Sequence, residues 1–209
     1  MGRRPDNEKP MDFSAIKEQL RADLKPSRYL HTEGVTYTAA ALAMRYGVDL
    51  DRAMLAGWLH DCAKCLPDEE SKALIYSQNE EVTLFEEKNP QLLHAKAGAI
   101  LAKVKYEVTD EAVLHAIRVH TTGCPGMTLL DKIVFIADFI EPGRYVAPHL
   151  AELRQLAFTN LNACLVRILE DTLDYLEKSG KEIDPTTRDT YLYYQDAGVD
   201  DTSNEGGNK

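Results

Sequence analysis

What this chain lacks narrows its class before any motif is read. It contains no run of about eighteen uncharged apolar residues, which excludes an ordinary membrane-spanning helix. The opening Met1-Gly2-Arg3-Arg4-Pro5 leads into charged sequence and not into the apolar core of a signal peptide. Asp6 stands where a myristoylation motif begun by Met1-Gly2 needs Ser or Thr. The expectation is a soluble cytoplasmic protein with no membrane partner.

Positive charge is also scarce. The formal net charge is −10, so a nucleic-acid partner is not expected, because nonspecific binding to phosphates needs a basic field. An anionic substrate would need local compensation from a metal or from clustered Lys and Arg. Of the four cysteines, Cys62 and Cys65 have CxxC spacing. No second pair follows and no βαβ pattern surrounds them, so the thiols read as small buried hydrophobes.

Alternating runs of β-branched residues are missing too, and no internal repeat occurs. The remaining pattern is a succession of helices, hence an all-α fold. A chain of 209 residues that is 44% hydrophobic can bury one good core. One domain over residues 11–196 is expected, flanked by a flexible polar extension at 1–10 and a flexible polar tail at 197–209.

Within that domain, apolar and small residues recur at helical spacing from Arg28 to Tyr46, ending at Gly47, with His31, Val35, Thr38 and Leu42 on one face. Asp49 or Asp51 can cap a second helix in which Leu55, Trp58, Leu59 and Cys62 follow one another at helical spacing until Pro67 stops it. In such a helix His60 and Lys64 lie one turn apart, and Asp61 is displaced by about 100°. A helix through Gln91 to Tyr106 carries His94. Thr109, Asp110 and Glu111 open another that ends near His120. Leu129 to Ile140 is strongly apolar apart from Asp131, Lys132 and Asp138, and Pro142-Gly143 closes it. One long amphipathic helix is expected from about His149 to Lys178, offering a face for a second copy of the chain. A short element containing Tyr191, Tyr193 and Tyr194 comes last.

The most informative feature is His60-Asp61, set behind the apolar run Leu55-Ala56-Gly57-Trp58-Leu59 and followed by Lys64. A buried imidazole beside a buried carboxylate is costly unless each finds a partner, and a divalent cation satisfies both. His31, His94, His120 and Asp138 stand in similar apolar helical surroundings. Singly each histidine is more often a hydrogen-bonded core residue, so the case is collective. Mixed imidazole and carboxylate ligation suits iron, manganese, cobalt, nickel or zinc.

Four motifs carry a resemblance: Ser27-Arg28-Tyr29-Leu30-His31, His60-Asp61-Cys62-Ala63-Lys64, His120-Thr121-Thr122-Gly123, and Ile136-Ala137-Asp138-Phe139-Ile140-Glu141-Pro142-Gly143-Arg144. Their order resembles the signature of the HD phosphohydrolase superfamily, and within it the bacterial YqeK family of symmetrical diadenosine tetraphosphate hydrolases. The resemblance implies an HD-domain helical bundle with a metal site, iron foremost, holding one or two ions, that cleaves a dinucleoside tetraphosphate to two ADP. Carried over by motif, His31, His60, Asp61 and Asp138 are metal ligands, and Asp61 with Lys64 is catalytic. His94 and His120 hold a second metal through Asp61 or hydrogen-bond substrate phosphate. Arg28, Lys64 and Arg144 are phosphate clamps, since a polyphosphate needs cations besides the metal. Ile183-Asp184-Pro185-Thr186-Thr187-Arg188 resembles the family's nucleotide-contacting tail. The chain departs from the family pattern at Ala95, where Gly is expected, and at Cys124 and Gly126. Asp131 is left as a residue behind the ligands or a surface charge, and His115 and His149 as non-catalytic. Alternative readings are a nucleoside monophosphatase or triphosphatase of the same superfamily, or a silent nucleotide-binding module. A guanosine tetraphosphate hydrolase fits less well, because the acidic pair that follows its His-Asp is absent from Cys62-Ala63-Lys64-Cys65.

Overall fold

The computed structural model describes residues 11–196, and the two terminal segments discussed above lie outside them. Among the described residues there are eleven α-helices and no strand. They are α1 (Ser14–Asp23), α2 (Pro26–Tyr46), α3 (Leu50–Leu59), α4 (Asp68–Ser77), α5 (Leu84–Lys88), α6 (Leu93–Lys105), α7 (Glu111–Val119), α8 (Leu129–Ile140), α9 (Leu150–Thr159), α10 (Leu161–Lys178) and α11 (Pro185–Asp196). The all-α expectation is met. No described helix is long and apolar enough to cross a membrane.

Local chemistry sets many of the ends. Pro26 opens α2 at a position whose N–H has no intrahelical partner, and Gly47 closes it in the left-handed region at φ 71°. Asp49, not Asp51, caps α3 by accepting from the Arg52 N–H. Thr128 and Asp131 form a reciprocal capping box at the start of α8. Asp131 is fully buried, with His115 Nδ1 3.0 Å from Oδ2, the same oxygen that accepts the Thr128 N–H. It is therefore a structural carboxylate and not a surface charge.

The long helices α2 and α8 run through the centre, with α3 and α7 packed on them; α6 lies on α7, α4 on α6, and α9, α10 and α11 close the far side. Trp58, Leu42, Leu59, Ile117, Ile133, Ile136 and Leu165 fill the space between them without exposure. A smaller apolar cluster of Ala63, Ile75, Leu93, Ala97 and Ile100 braces the segment after α3 from the side of α4 and α6. All four thiols are free; Cys62 and Cys164 are buried, as their reading as small buried hydrophobes expects, whereas Cys65 and Cys124 are half-buried.

Two expected helices differ. The one bearing His60 stops at Leu59 instead of running to Pro67, and the chain continues through tight turns with backbone bonds from Cys62 to Leu59, Lys64 to Asp61 and Leu66 to Ala63. The long late helix is two helices, α9 and α10, separated at Asn160, whose backbone is extended at φ −147° and ψ 97°. Its side chain caps α10 through the Ala163 N–H. The carbonyls freed at the end of α9 are taken by α2, where Arg45 Nε donates to Phe158 O at 2.8 Å and Tyr46 O–H donates to Ala157 O at 2.8 Å. The apolar face of α10 packs into the core through Leu161, Cys164, Leu165, Ile168 and Leu169.

The contact between α2 and α3 has no slack. A Cβ built on Gly57 falls 2.7 Å from the Thr36 Cα, a backbone atom that cannot move independently. Gly57→Ala is therefore expected to lower stability by about 1–3 kcal/mol through overpacking, read as a fall in urea midpoint at unchanged slope. An unchanged midpoint would show that the two helices can separate freely.

Candidate metal centre

Three helix ends and two helix interiors converge at one point. His60 follows the last residue of α3, His120 follows α7, and His94 sits in the first turn of α6. Each of these rings donates Nδ1–H to the carbonyl three residues upstream: His60 to Gly57 O at 2.7 Å, His94 to Gln91 O at 2.6 Å, His120 to Ile117 O at 2.7 Å. His31, inside α2, places Nδ1 3.1 Å from the Glu141 carboxylate. With Nδ1 carrying the proton in all four rings, every Nε2 presents a lone pair to the interior, the tautomer that metal ligation uses.

The carboxylates meet those lone pairs. Asp138 Oδ1 lies 2.8 Å from His31 Nε2 and 3.9 Å from His60 Nε2. Asp61 is divided between two sides: Oδ2 is 3.5 Å from His60 Nε2, 3.8 Å from His31 Nε2 and 2.8 Å from Arg28 Nη1. Its Oδ1 is 3.4 Å from His94 Nε2 and 3.8 Å from His120 Nε2. His31, His60 and Asp61 form one group of ligand atoms within 4.8 Å of one another, and Asp61, His94 and His120 form a second. The tight turn after Leu59 thus does what a continued helix would not, aiming consecutive side chains into one cavity.

Three of these atoms, His31 Nε2, His60 Nε2 and Asp61 Oδ1, are buried without a hydrogen-bond partner. Leaving a buried polar atom unsatisfied costs about 1–3 kcal/mol, and here the orphans point at one another. A divalent cation fits this donor set, since imidazole nitrogen and carboxylate oxygen from different helices satisfy borderline metals.

The charges are tuned to match. Burial works against a charged His60, yet Asp61 and Asp138 outweigh it and raise its pKa. Burial, then His120 and Lys64, push His94 down to about 3, so that ring is neutral. His120 is likewise lowered, by burial and by His60. For Asp61, burial favours the protonated form, but His60, His120 and His94 hold the carboxyl well below its usual range. Lys64 lies with Nζ 3.1–3.2 Å from both nitrogens of the His94 ring, and burial lowers its pKa.

The other expected residues are also here. Arg28 is paired with Asp61, and Arg144 donates Nη2 to the Asp138 carbonyl at 2.9 Å while its Nε is buried and unpartnered. The segment 183–188 enters α11, whose Thr190 packs against Gly123 just past His120. His149 pairs with Asp171 and His115 with Asp131, both away from the cluster.

Sequence reasoning assigned no role to Glu141 or Thr121. The Glu141 carboxylate orients His31 and accepts the Gly143 N–H. A Cβ on Gly34 would fall 2.6 Å from its Oε2, and one on Gly143 would fall 2.9 Å from it, so two glycines make room for this buried acid. A glutamate closing an apolar helix three residues after Asp138 was the available signal. Thr121 Oγ1 lies 3.3 Å from His94 Nε2 and 3.2 Å from His120 Nε2.

Two outcomes follow from this geometry. Glu141→Gln keeps the side-chain shape but removes the charge behind His31, and metal affinity is expected to fall about 10- to 100-fold, measured by competition with a chelating dye while circular dichroism stays unchanged. Unaltered affinity would free Glu141 of that role. Protons should also compete with the ion: because His60 is raised above its ordinary 6.5, affinity should begin to weaken above that pH and fall further on acidification. Equilibrium dialysis between about pH 8 and pH 5.5 tests this, and a flat profile would argue against imidazole ligation.

Comparison with known proteins identifies the family. The family model for the HD domain matches residues 28–143, more than half of the chain. The sequence is 42% identical over 182 residues to the symmetrical bis(5′-nucleosyl)-tetraphosphatase of Bacillus subtilis, covering 87% of this chain and 93% of that protein. It is 41% identical to the protein of the same name from Halalkalibacterium halodurans, covering 87% and 96%. A crystal structure from Clostridium acetobutylicum, named as a "predicted HD superfamily hydrolase involved in NAD metabolism", superposes with a TM-score of 0.87 at 37% identity, covering 91% of this chain and 100% of that one. The chain belongs to the HD-domain family and, within it, to the group of the symmetrical bis(5′-nucleosyl)-tetraphosphatases.

Proposed function

We propose that this protein hydrolyses diadenosine tetraphosphate symmetrically, adding water across the central anhydride to give two ADP, in the cytoplasm and within a single catalytic domain over residues 11–196. The observation that carries this reading is the set of buried, unpartnered ligand atoms on His31, His60 and Asp61, in a chain whose relatives bear that enzymatic name. His31, His60, Asp61 and Asp138 are the ligands of a divalent transition metal, iron foremost, with manganese, cobalt, nickel and zinc chemically compatible.

Such an ion supplies Lewis acidity toward phosphoryl oxygens and makes water a competent nucleophile near neutral pH. The protein's own groups do the rest. Asp61 Oδ1, buried and without a partner, accepts a hydrogen bond from the attacking water and fixes its direction. Lys64 meets charge on the departing ADP. Arg28 is paired with Asp61 through Oδ2, and its guanidinium would be available to phosphate beside the cluster when Asp61 holds an ion. Arg144 offers its unpartnered Nε to the same chain of phosphates, where preorganised donors have most effect. His94 and His120, together with Asp61, would hold a second ion, or the two rings would contact a phosphate oxygen.

Incubating metal-supplemented protein with diadenosine tetraphosphate should give ADP as sole product. AMP with ATP would mean a different cleavage position, and no turnover would favour a nucleoside monophosphatase or triphosphatase. Asp61→Ala should lower kcat by about a thousandfold or more. Retained turnover with unchanged metal content would remove Asp61 from the mechanism. A silent module is disfavoured because every ligand residue is present, and it would leave the wild-type protein inert toward all of these nucleotides.

A further inference from the structure

A dinucleotide cut at its centre must extend from the ligand cluster in two directions. One flank is formed by Lys64, His94, His120 and Thr121, facing Asp61 Oδ1. On the other, facing Asp61 Oδ2, a cleft of about 350 Å³ opens between the start of α2 and the segment after α8, lined by Ser27, Arg28, His31, Gly143, Arg144, Tyr145 and Val146 with Glu141 beneath. That volume lies in the range of small-ligand sites.

Three features give this cleft a chemistry. Its inner wall holds two guanidiniums, with Arg28 2.8 Å from Asp61 and Arg144 3.7 Å from Asp138, so phosphates leaving the cluster on this side pass between cations. Its lip carries Tyr145 at 88% exposure beside Val146 at 77%. A large aromatic uncovered to that degree beside an anion path is poorly explained by packing. The lip is also held in place. Arg154 of α9 donates to the carbonyls of Ile140 at 3.0 Å, Glu141 at 2.9 Å and Arg144 at 2.8 Å, so Tyr145 projects from a tethered segment.

We propose that this cleft receives one nucleoside of the substrate, its base stacked on Tyr145, and that the stack favours dinucleoside polyphosphates over mononucleotides. The inference rests on the symmetrical-hydrolase reading and adds a specificity residue to it. Stacking on an aromatic is tolerant of base identity, so preference for two nucleosides is expected without strict preference for adenine on this side.

The test measures binding by calorimetry on metal-loaded protein with two probes. One is diadenosine tetraphosphate carrying a methylene in place of the central bridging oxygen, which cannot be cleaved there. The other is adenosine 5′-tetraphosphate, which keeps the phosphates and lacks the second nucleoside. Tyr145→Ala should weaken the dinucleotide analogue about tenfold and the mononucleotide by about twofold at most, since a single nucleoside can use the other flank. Tyr145→Phe should restore the difference. Equal loss for both probes, or no loss for either, overturns the proposal. Wild-type protein that leaves diadenosine tetraphosphate itself intact would instead overturn the substrate reading beneath it, a failure visible without any variant.

Discussion

The site depends on one constraint, the assignment of each buried imidazole's outer nitrogen to an acceptor behind it. For His60, His94 and His120 that acceptor is a main-chain carbonyl three residues earlier; for His31 it is a carboxylate from another helix. Once those bonds are made the inner nitrogens have no choice but to face the cavity as bases. For His60 and His120 the carbonyl bonds come at helix C-termini, where carbonyls lack intrahelical partners. Stopping α3 at Leu59 and α7 at Val119 therefore serves the site as much as the fold.

The packing around the cluster preserves that constraint. α2 and α3 approach backbone to backbone at Gly57 and Thr36, fixing His31 relative to His60. α8 brings Asp138 and Glu141 to the same face of α2, with Gly34 leaving the gap that Glu141 fills. These interiors are close-packed, so a small displacement of a helix moves one of these side chains directly.

Much of this was legible in the sequence. The apolar periodicities located the helices, and His31, His60-Asp61 and Asp138 stood out as polar groups in apolar runs. Two helix boundaries were not legible for a physical reason. α9 ends because Arg45 and Tyr46, more than a hundred residues earlier, take its last carbonyls, a cause that no local window contains. Likewise, the stop after Leu59 follows from burying two consecutive polar side chains on one side, which overrides the helical pattern continuing to Cys62. Glu141 was in view inside a motif, but its function is defined by Gly34, distant in sequence.

The pairing of Arg28 with Asp61 has a thermodynamic consequence. An ion held by Asp61 would compete with the guanidinium for this carboxylate, and its loading would then free a cation for phosphate. By linkage the effect would be reciprocal: an anion that draws Arg28 away would raise affinity for the ion by the same factor. The protein would then hold its ion most firmly while occupied by substrate, and release it most readily when empty.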